Sequence, residues 1–378
     1  MSKLKPLGGK IITKPFKVLM VISGIAAILL AKRFLFGIGS VTNLSHGYPW
    51  GLWIVYDVVT GTAIACGGYA MALLVYIFNK GEYHPLVRSA LMASMFGYTM
   101  AGVSIFIDIG RYWQMYNVFL PWMANVNSIM FEVAFCIGTY VFIMWIEFSP
   151  TFLEAKKKYP QLKILNKLMF IFIAIGVLLP TMHQSSLGTL MIIAGEKLSD
   201  LYQTGFLPLL FLITAVSMGF SMVIFESLYS SFNFKRPYEM KQLSKIGNIV
   251  GKLILVFLII RIIDLVWRGA LTEAFVFNLT ALMFWIEILL FIYVMLILFN
   301  AKKRENRKEL FIAAILMVLA GSVYRFDTFL VAFNPGPGWH YFPSLSEIFI
   351  TLGIISVEIM AYLYFVKRLP VLPEVKHA

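Results

Sequence analysis

The chain has 378 residues, of which 60% are hydrophobic and 13% charged, with a mean hydropathy of +0.82. A soluble domain carries about 25% charged residues, so this composition excludes a soluble globular enzyme, a disordered chain and an ordinary nucleic-acid-binding domain. The net charge of +13 is a loop bias rather than a nucleic-acid signal, because Lys and Arg stand in short clusters between long apolar runs.

A helix needs roughly 20 apolar residues to cross the hydrocarbon core. Ten segments approach that length: Phe16–Phe36, Gly51–Phe78, Arg88–Trp113, Asn127–Phe148, Lys163–Thr181, Phe206–Tyr229, Ile246–Trp267, Phe277–Phe299, Leu310–Phe333 and Leu345–Val366. The first run follows no small-residue cleavage site, so it reads as a retained anchor and not a removable signal peptide. Lys3, Lys5, Lys10, Lys14 and Lys17 precede it, and basic clusters recur at every second loop, so that 25 of the 32 Lys and Arg fall on one side. By the positive-inside rule this predicts an even number of spans, with the tails 1–15 and 367–378 both in the cytoplasm. The opposite loops, Gly37–Pro49, Met115–Val126, Met182–Gly205 and Asn334–Pro343, are rich in Gly, Pro, Asn and aromatics. Trp50, Trp53, Trp113, Trp122 and Trp339 gather at that level. An aromatic belt explains most of them, and an entrance for a lipid-soluble ligand is the functional alternative. NSIMFE in span four and TALMFWIE in span eight both end an apolar run in Glu. This hints at two related four-helix bundles, spans two to five and six to nine, with the first and last spans added to one all-α transmembrane domain covering 1–378.

Ionisable side chains at membrane depth cost a few kcal/mol even on permissive scales, so each needs a reason. Asp57 and Asp108 lie toward the outer halves of spans two and three. Arg111 follows Asp108 by three residues and Asp264 follows Arg261 by three, spacings that place each pair on one helix face. Arg325 and Asp327, two apart, fall on different faces. Glu147 approaches an inner helix end, where it can snorkel. Glu132 reads as too deep to snorkel, with no basic neighbour within a turn, and a lone Glu there is favoured neutral, which suits a proton carrier. Glu226 is a similar candidate. Tyr98, mid-span, offers a hydroxyl between them, although such a residue is more often simply packed. Glu287 and Glu358 lie deep in spans eight and ten.

His183 closes span five, while His46, His84, His340 and His377 lie in loops or the tail. The sequence therefore offers no facing pair of axial ligands for haem, and Cys66 and Cys136 are isolated, without metal-ligand spacing. The expectation is a chain without haem or metal that hands electrons to a quinone. Trp50, Trp53, Asp108, Arg111 and His183, taken at one depth, are its expected donors and apolar wall.

The stretches PWGLWIVYDVVTGTAIACGGYA, NKGEYHPLVRSALMASMFGY, SIFIDIGRYW, NVNSIMFE, LLPTMHQSSLGTLM and VAFNPGPGWHYFP together resemble the NrfD / polysulfide-reductase membrane-subunit family, and within it the HybB-type membrane subunit of periplasm-facing nickel–iron hydrogenases. The resemblance runs from LGGKIITKP to RLPVLP. It implies a haem-free subunit of a bacterial inner membrane, catalytic only within its complex. Such a subunit takes electrons from a periplasmic ferredoxin-like iron–sulfur subunit, beside hydrogenase small and large subunits, and reduces menaquinone or ubiquinone near the outer face. It also implies proton-path roles for Tyr98, Glu132 and Glu226, a place near the quinone for His183, and a carboxylate-stabilising role for Arg88 at the cytoplasmic mouth. No nucleic-acid partner is expected. Three rivals stay open: a subunit of the same family serving a polysulfide, nitrite or molybdenum oxidoreductase; a ten-span proton-coupled transporter, disfavoured because the Gly- and Pro-rich breaks fall mainly in outer loops; and a plain membrane anchor with structural acids.

Overall fold

The computed structural model describes residues 4–373; Lys3, Lys376 and His377, and the tail ends around them, lie outside the described residues. Ten long helices follow one another: α1 Lys14–Phe36, α2 Trp53–Ile77, α3 His84–Asp108, α4 Ile129–Ala155, α5 Tyr159–Ile193, α6 Leu207–Asn233, α7 Met240–Trp267, α8 Leu279–Phe299, α9 Arg307–Val331 and α10 Leu345–Arg368. Nine of them, all but α7, are long and apolar enough to cross a membrane among the described residues. The all-α integral membrane class is borne out, and each expected span falls on one helix. The two ends of the described chain meet: Leu4–Lys5 pairs antiparallel with Leu372–Pro373, and Leu7 and Gly8 donate backbone hydrogen bonds of 3.2 and 3.1 Å to Val366 and Lys367.

Three features depart from the sequence reading. First, α5 runs 35 residues, through Pro180 and ten residues past His183. Proline usually stops a helix, but inside a bundle neighbouring groups take over the freed backbone partners. Second, α4 begins only at Ile129, after an extended Ser128. Glu132 thus sits in the first turn and is half-buried, not deep in the span. Third, α2 is interrupted within the bundle. Wide π turns at Trp53–Thr60 and Leu73–Ile77 flank two short α segments that part at Ala65–Cys66. The interruption packs on α6 at Gly219, where a Cβ would lie 2.6 Å from the Cys66 carbonyl carbon, so a side chain there would force the helices apart.

The core is one large cluster in which α6 is central, with Phe211, Ala215 and Met218 fully buried, and a small second cluster around Trp53. α1 packs along α10 and turns Val18, Val21, Ile28 and Leu35 outward, all 60% or more exposed. That surface suits lipid, which takes up apolar side chains as readily as another helix does.

Candidate functional site

At the interruption of α2, three helices are joined by a buried polar knot. His183 Nδ1 lies 3.0 Å from the Leu179 carbonyl, which can only accept, so Nδ1 carries the ring proton and Nε2 accepts. Tyr98 on α3 donates its hydroxyl to Nε2 at 3.0 Å, and the Gln184 amide nitrogen lies 3.1 Å from the same atom. Gln184 also donates to Thr62 on α2 at 2.9 Å, and Cys66 Sγ lies 3.4 Å from the Tyr98 hydroxyl. Tyr98, His183, Gln184 and Cys66 are fully buried. The chain of donors ends on a helix carbonyl, and among the described residues no hydrogen bond leads from it to Glu132 or Glu226. His183 stands ten residues below the outer end of α5, about 15 Å at 1.5 Å per residue. It does not share the depth of the loop tryptophans.

The expected quinone set is therefore divided. Trp53 is buried in a small cluster with Ile107, Ile350 and Ile354, and its indole N–H donates to the Glu347 carbonyl at 3.2 Å. Trp50 instead faces α9, donating to the Phe329 carbonyl at 2.9 Å. Asp108 ends α3 with one carboxyl oxygen buried and unpartnered. Arg111 is exposed beyond the helix end; the three-residue face rule lapses there because Ile109 is already extended. The guanidinium near Asp108 is Arg33 of α1. It is 1% exposed, donates to the carbonyls of Ile107 at 2.7 Å and Ile109 at 2.6 Å, and lies 5.0 Å over the Phe34 ring. Glu347 completes this end. Its carboxylate accepts from the Tyr341 hydroxyl at 2.6 Å and from backbone N–H groups of Ser344 and Asn43 at 2.8 and 3.1 Å. Sequence reasoning missed both residues. Glu347 was visible as the fourth residue of a Ser-x-x-Glu capping box, whereas nothing local marked Arg33.

At the inner end, Arg88 binds Glu154 through two N–H···O contacts of 2.6 and 3.0 Å and donates to the Pro370 carbonyl at 3.0 Å. This clamps α3 to the end of α4 and to the C-terminal segment. Glu147 keeps one carboxyl oxygen buried and unpartnered, so it does not snorkel fully. Glu226 accepts a short hydrogen bond from the Tyr362 hydroxyl of α10.

A second ionic group lies among α7, α8 and α9. Arg261 is paired with Glu287 at 3.5 Å, both at most 1% exposed. The Tyr202 hydroxyl reaches Glu287 at 2.9 Å and Asp327 at 3.2 Å. The expected Arg261–Asp264 pair does not form: Asp264 takes Arg268, one turn further on, at 2.7 Å, because Arg261 points to α8. Arg325 and Asp327 do face apart. Arg325 is fully buried, pairs with no carboxylate among the described residues, and donates to the carbonyls of Val59 and Phe211 at 2.8 and 2.9 Å.

Comparison with known proteins gives three informative relatives. A "Probable Ni/Fe-hydrogenase 2 b-type cytochrome subunit" of Escherichia coli strain K12 is 45% identical over 375 residues, 98% of this chain and 96% of its own. A "Menaquinone reductase, integral membrane subunit" of Nitratidesulfovibrio vulgaris is 26% identical, covering 89% of this chain and 86% of its own. A selenate reductase subunit of Mesobacillus selenatarsenatis is 21% identical over 94% of this chain and 93% of its own. The first name corrects one expectation. A chain without haem or metal is not what the likeness to a b-type cytochrome subunit implies. The described residues nonetheless do not fit a haem held by two histidines. Both ring nitrogens of His183 are already engaged, and His46, His84 and His340 are exposed. No step below is routed through a haem. The expected hydrogenase kinship is borne out, and the model of the polysulphide reductase NrfD family matches residues 40–333. On that match and the 45% identity along nearly the whole chain, this protein belongs to the polysulphide reductase NrfD family.

Proposed function

We propose that this chain is the quinone-reducing membrane subunit of a respiratory nickel–iron hydrogenase complex. It receives electrons from a periplasmic ferredoxin-like iron–sulfur subunit, itself fed by the hydrogenase small and large subunits, and delivers them to menaquinone or ubiquinone in a bacterial inner membrane. The observation that carries this reading is the 45% identity to the hydrogenase 2 subunit over 98% of the chain. The menaquinone reductase relative supports a quinone as acceptor. The alternation of basic loops supports cytoplasmic termini and a docking face on the opposite, periplasmic side. Helices α2 to α5 and α6 to α9 read as two related bundles to which α1 and α10 are added.

On this reading the quinone binds at the outer end of α3, beside the unpartnered carboxyl oxygen of Asp108 and the fixed cation of Arg33, with Arg111 exposed beyond the helix end. Reduction to quinol consumes two electrons from the partner and two protons. Drawing those protons from the cytoplasmic side through Glu226 stores about 2.3 kcal/mol per charge per 100 mV. Beyond Glu226 the other two expected relays fit less well, since Tyr98 is bound into the knot and Glu132 stays at the outer end of α4.

The test is hydrogen-driven quinone reduction by the complex in vesicles. With this chain the quinone is reduced and a potential forms; without it, only a water-soluble dye accepts electrons. Equal quinone reduction in its absence refutes the reading. The selenate reductase relative favours one alternative, the same membrane role beside a different oxidoreductase, which co-purification with such a partner in place of a hydrogenase would establish.

A further inference from the structure

Asp57 on α2, Glu226 on α6 and Glu358 on α10 open into one cavity of about 250 Å³ inside the bundle. At about 30 Å³ per molecule this has room for several waters, and although most of its wall is apolar, Tyr56, Asp57, Ser94, Glu226 and Glu358 offer water the partners it needs. Glu226 is hydrogen-bonded by Tyr362, and Asp57 by Thr351. Glu358, between them, has no hydrogen-bond partner among the described residues. Its carboxyl lies against Gly97, where a Cβ would come within 3.3 Å of Oε1 and 2.6 Å of the Ala65 side chain, so it turns toward the interruption of α2. A carboxyl that lends and regains a proton needs water or another acid within reach and no fixed partner locking it. Of the three acids, Glu358 meets that condition best.

The file continues at both ends. Below Glu226, toward the inner surface, Arg236 and Glu239 lie close enough to feel one another's charge. Glu239, outside the helices, is pushed above the usual carboxylate range by burial, against the pull of Arg236. Beyond Asp57, Asp108 is in the electrostatic field of Glu347 and Arg33. Glu358, Tyr362 and Thr351 all come from α10, which starts after the matched residues 40–333.

We propose that Glu358 is the middle carrier of a water-filled proton route running from Glu239 through Glu226, Glu358 and Asp57 to Asp108. This rests on the quinone-reductase reading above. At each hop a carboxylic acid releases a proton to cavity water, and the next carboxylate takes one from that water. Two such passages balance the two electrons that turn quinone into quinol. Glu132 lies off the route.

The experiment uses the assembled complex in vesicles. Glu358→Gln keeps the shape and removes the transferable proton. Hydrogen-driven quinone reduction should fall on the order of a hundredfold, the range that proton transfer by a positioned acid contributes. Dye reduction by the hydrogenase partner stays unchanged, and Glu358→Asp restores much of the lost rate. Infrared spectroscopy gives a readout independent of turnover: a protonated-carboxyl band that shifts in D2O and vanishes in Glu358→Gln. Wild-type turnover in Glu358→Gln overturns the proposal, as does a Glu358 band that is absent or fails to shift. If the wild-type complex itself reduces no quinone, the functional reading falls, and the infrared band still decides whether the cavity is wet and Glu358 exchanges.

Discussion

Replacing Arg33 by Met tests whether the outer end of α3 is held from outside its own helix. Arg33 donates to the carbonyls of Ile107 and Ile109 at 2.7 and 2.6 Å, and carbonyls at a helix C-terminus lack intrahelical partners. Each charge-assisted bond contributes about 1.5–3 kcal/mol. Methionine refills the volume and removes the cost of burying a guanidinium, so the net loss is about 3 kcal/mol, a shift of roughly two powers of ten in the unfolding equilibrium. Arg33→Lys recovers less than half, because a single ammonium cannot span both carbonyls as the planar fork does. Asp108 sits between the two tethered carbonyls, so a frayed turn displaces it. The KM for quinone therefore rises while dye reduction holds. Unfolding in detergent measures the first effect and steady-state kinetics the second. Arg33→Met within about 0.5 kcal/mol of wild type, the usual range for an uninvolved surface change, would refute the tether.

Tyr98→Phe should cost about 1 kcal/mol, one neutral hydrogen bond, since His183 Nε2 still has Gln184 at 3.1 Å. Quinone turnover should remain close to wild type, and its collapse in a stable Tyr98→Phe protein would restore Tyr98 to the proton route. Glu287→Gln strands the buried charge of Arg261 and should destabilise by about 3–5 kcal/mol, whereas Arg261→Met with Glu287→Leu should recover most of the loss; thermal unfolding of the single and double variants checks both. Gly219→Ala puts a Cβ 2.6 Å from the Cys66 carbonyl carbon and should cost about 1–3 kcal/mol by overpacking. An unchanged melting temperature would show that α2 and α6 can separate freely.

The spans were legible because runs of about 20 apolar residues have one stable use, crossing a bilayer. What lay at their ends was not. In the sequence span five ends at Thr181 with His183 closing it, yet α5 continues to Ile193, and His183 moves from the mouth to the interior with it. Glu132 looked deep because an apolar run surrounds it, but the depth of a helix residue is set by where the first turn begins. Ion-pair partners were harder still. A three-residue spacing tied Asp264 to Arg261, while the fold turns Arg261 to Glu287 on another helix and leaves Asp264 to Arg268. Asp108 was matched with Arg111 for the same local reason, and its basic neighbour comes from α1. Local spacing ranks neighbours on one helix and carries no information about the helix packed across from it.

Helices α2 to α9 fall within the matched residues 40–333, and α1 and α10 outside them. Two helices added only to hold the chain in the membrane would present apolar side chains on every face. α1 does so on its outward side. Toward the core, however, the pair brings in Arg33, Glu347, Thr351, Glu358 and Tyr362. Each of these is costly at membrane depth unless the protein supplies a partner. Arg33 has its partners at the outer end of α3, Glu347 in Tyr341, Ser344 and Asn43, Tyr362 and Thr351 on acids of α6 and α2, and Glu358 in the water its cavity has room for. An anchor has no use for a line of such groups running from the inner half of the bundle to the end of α3, and a route that must bring protons to the quinone does.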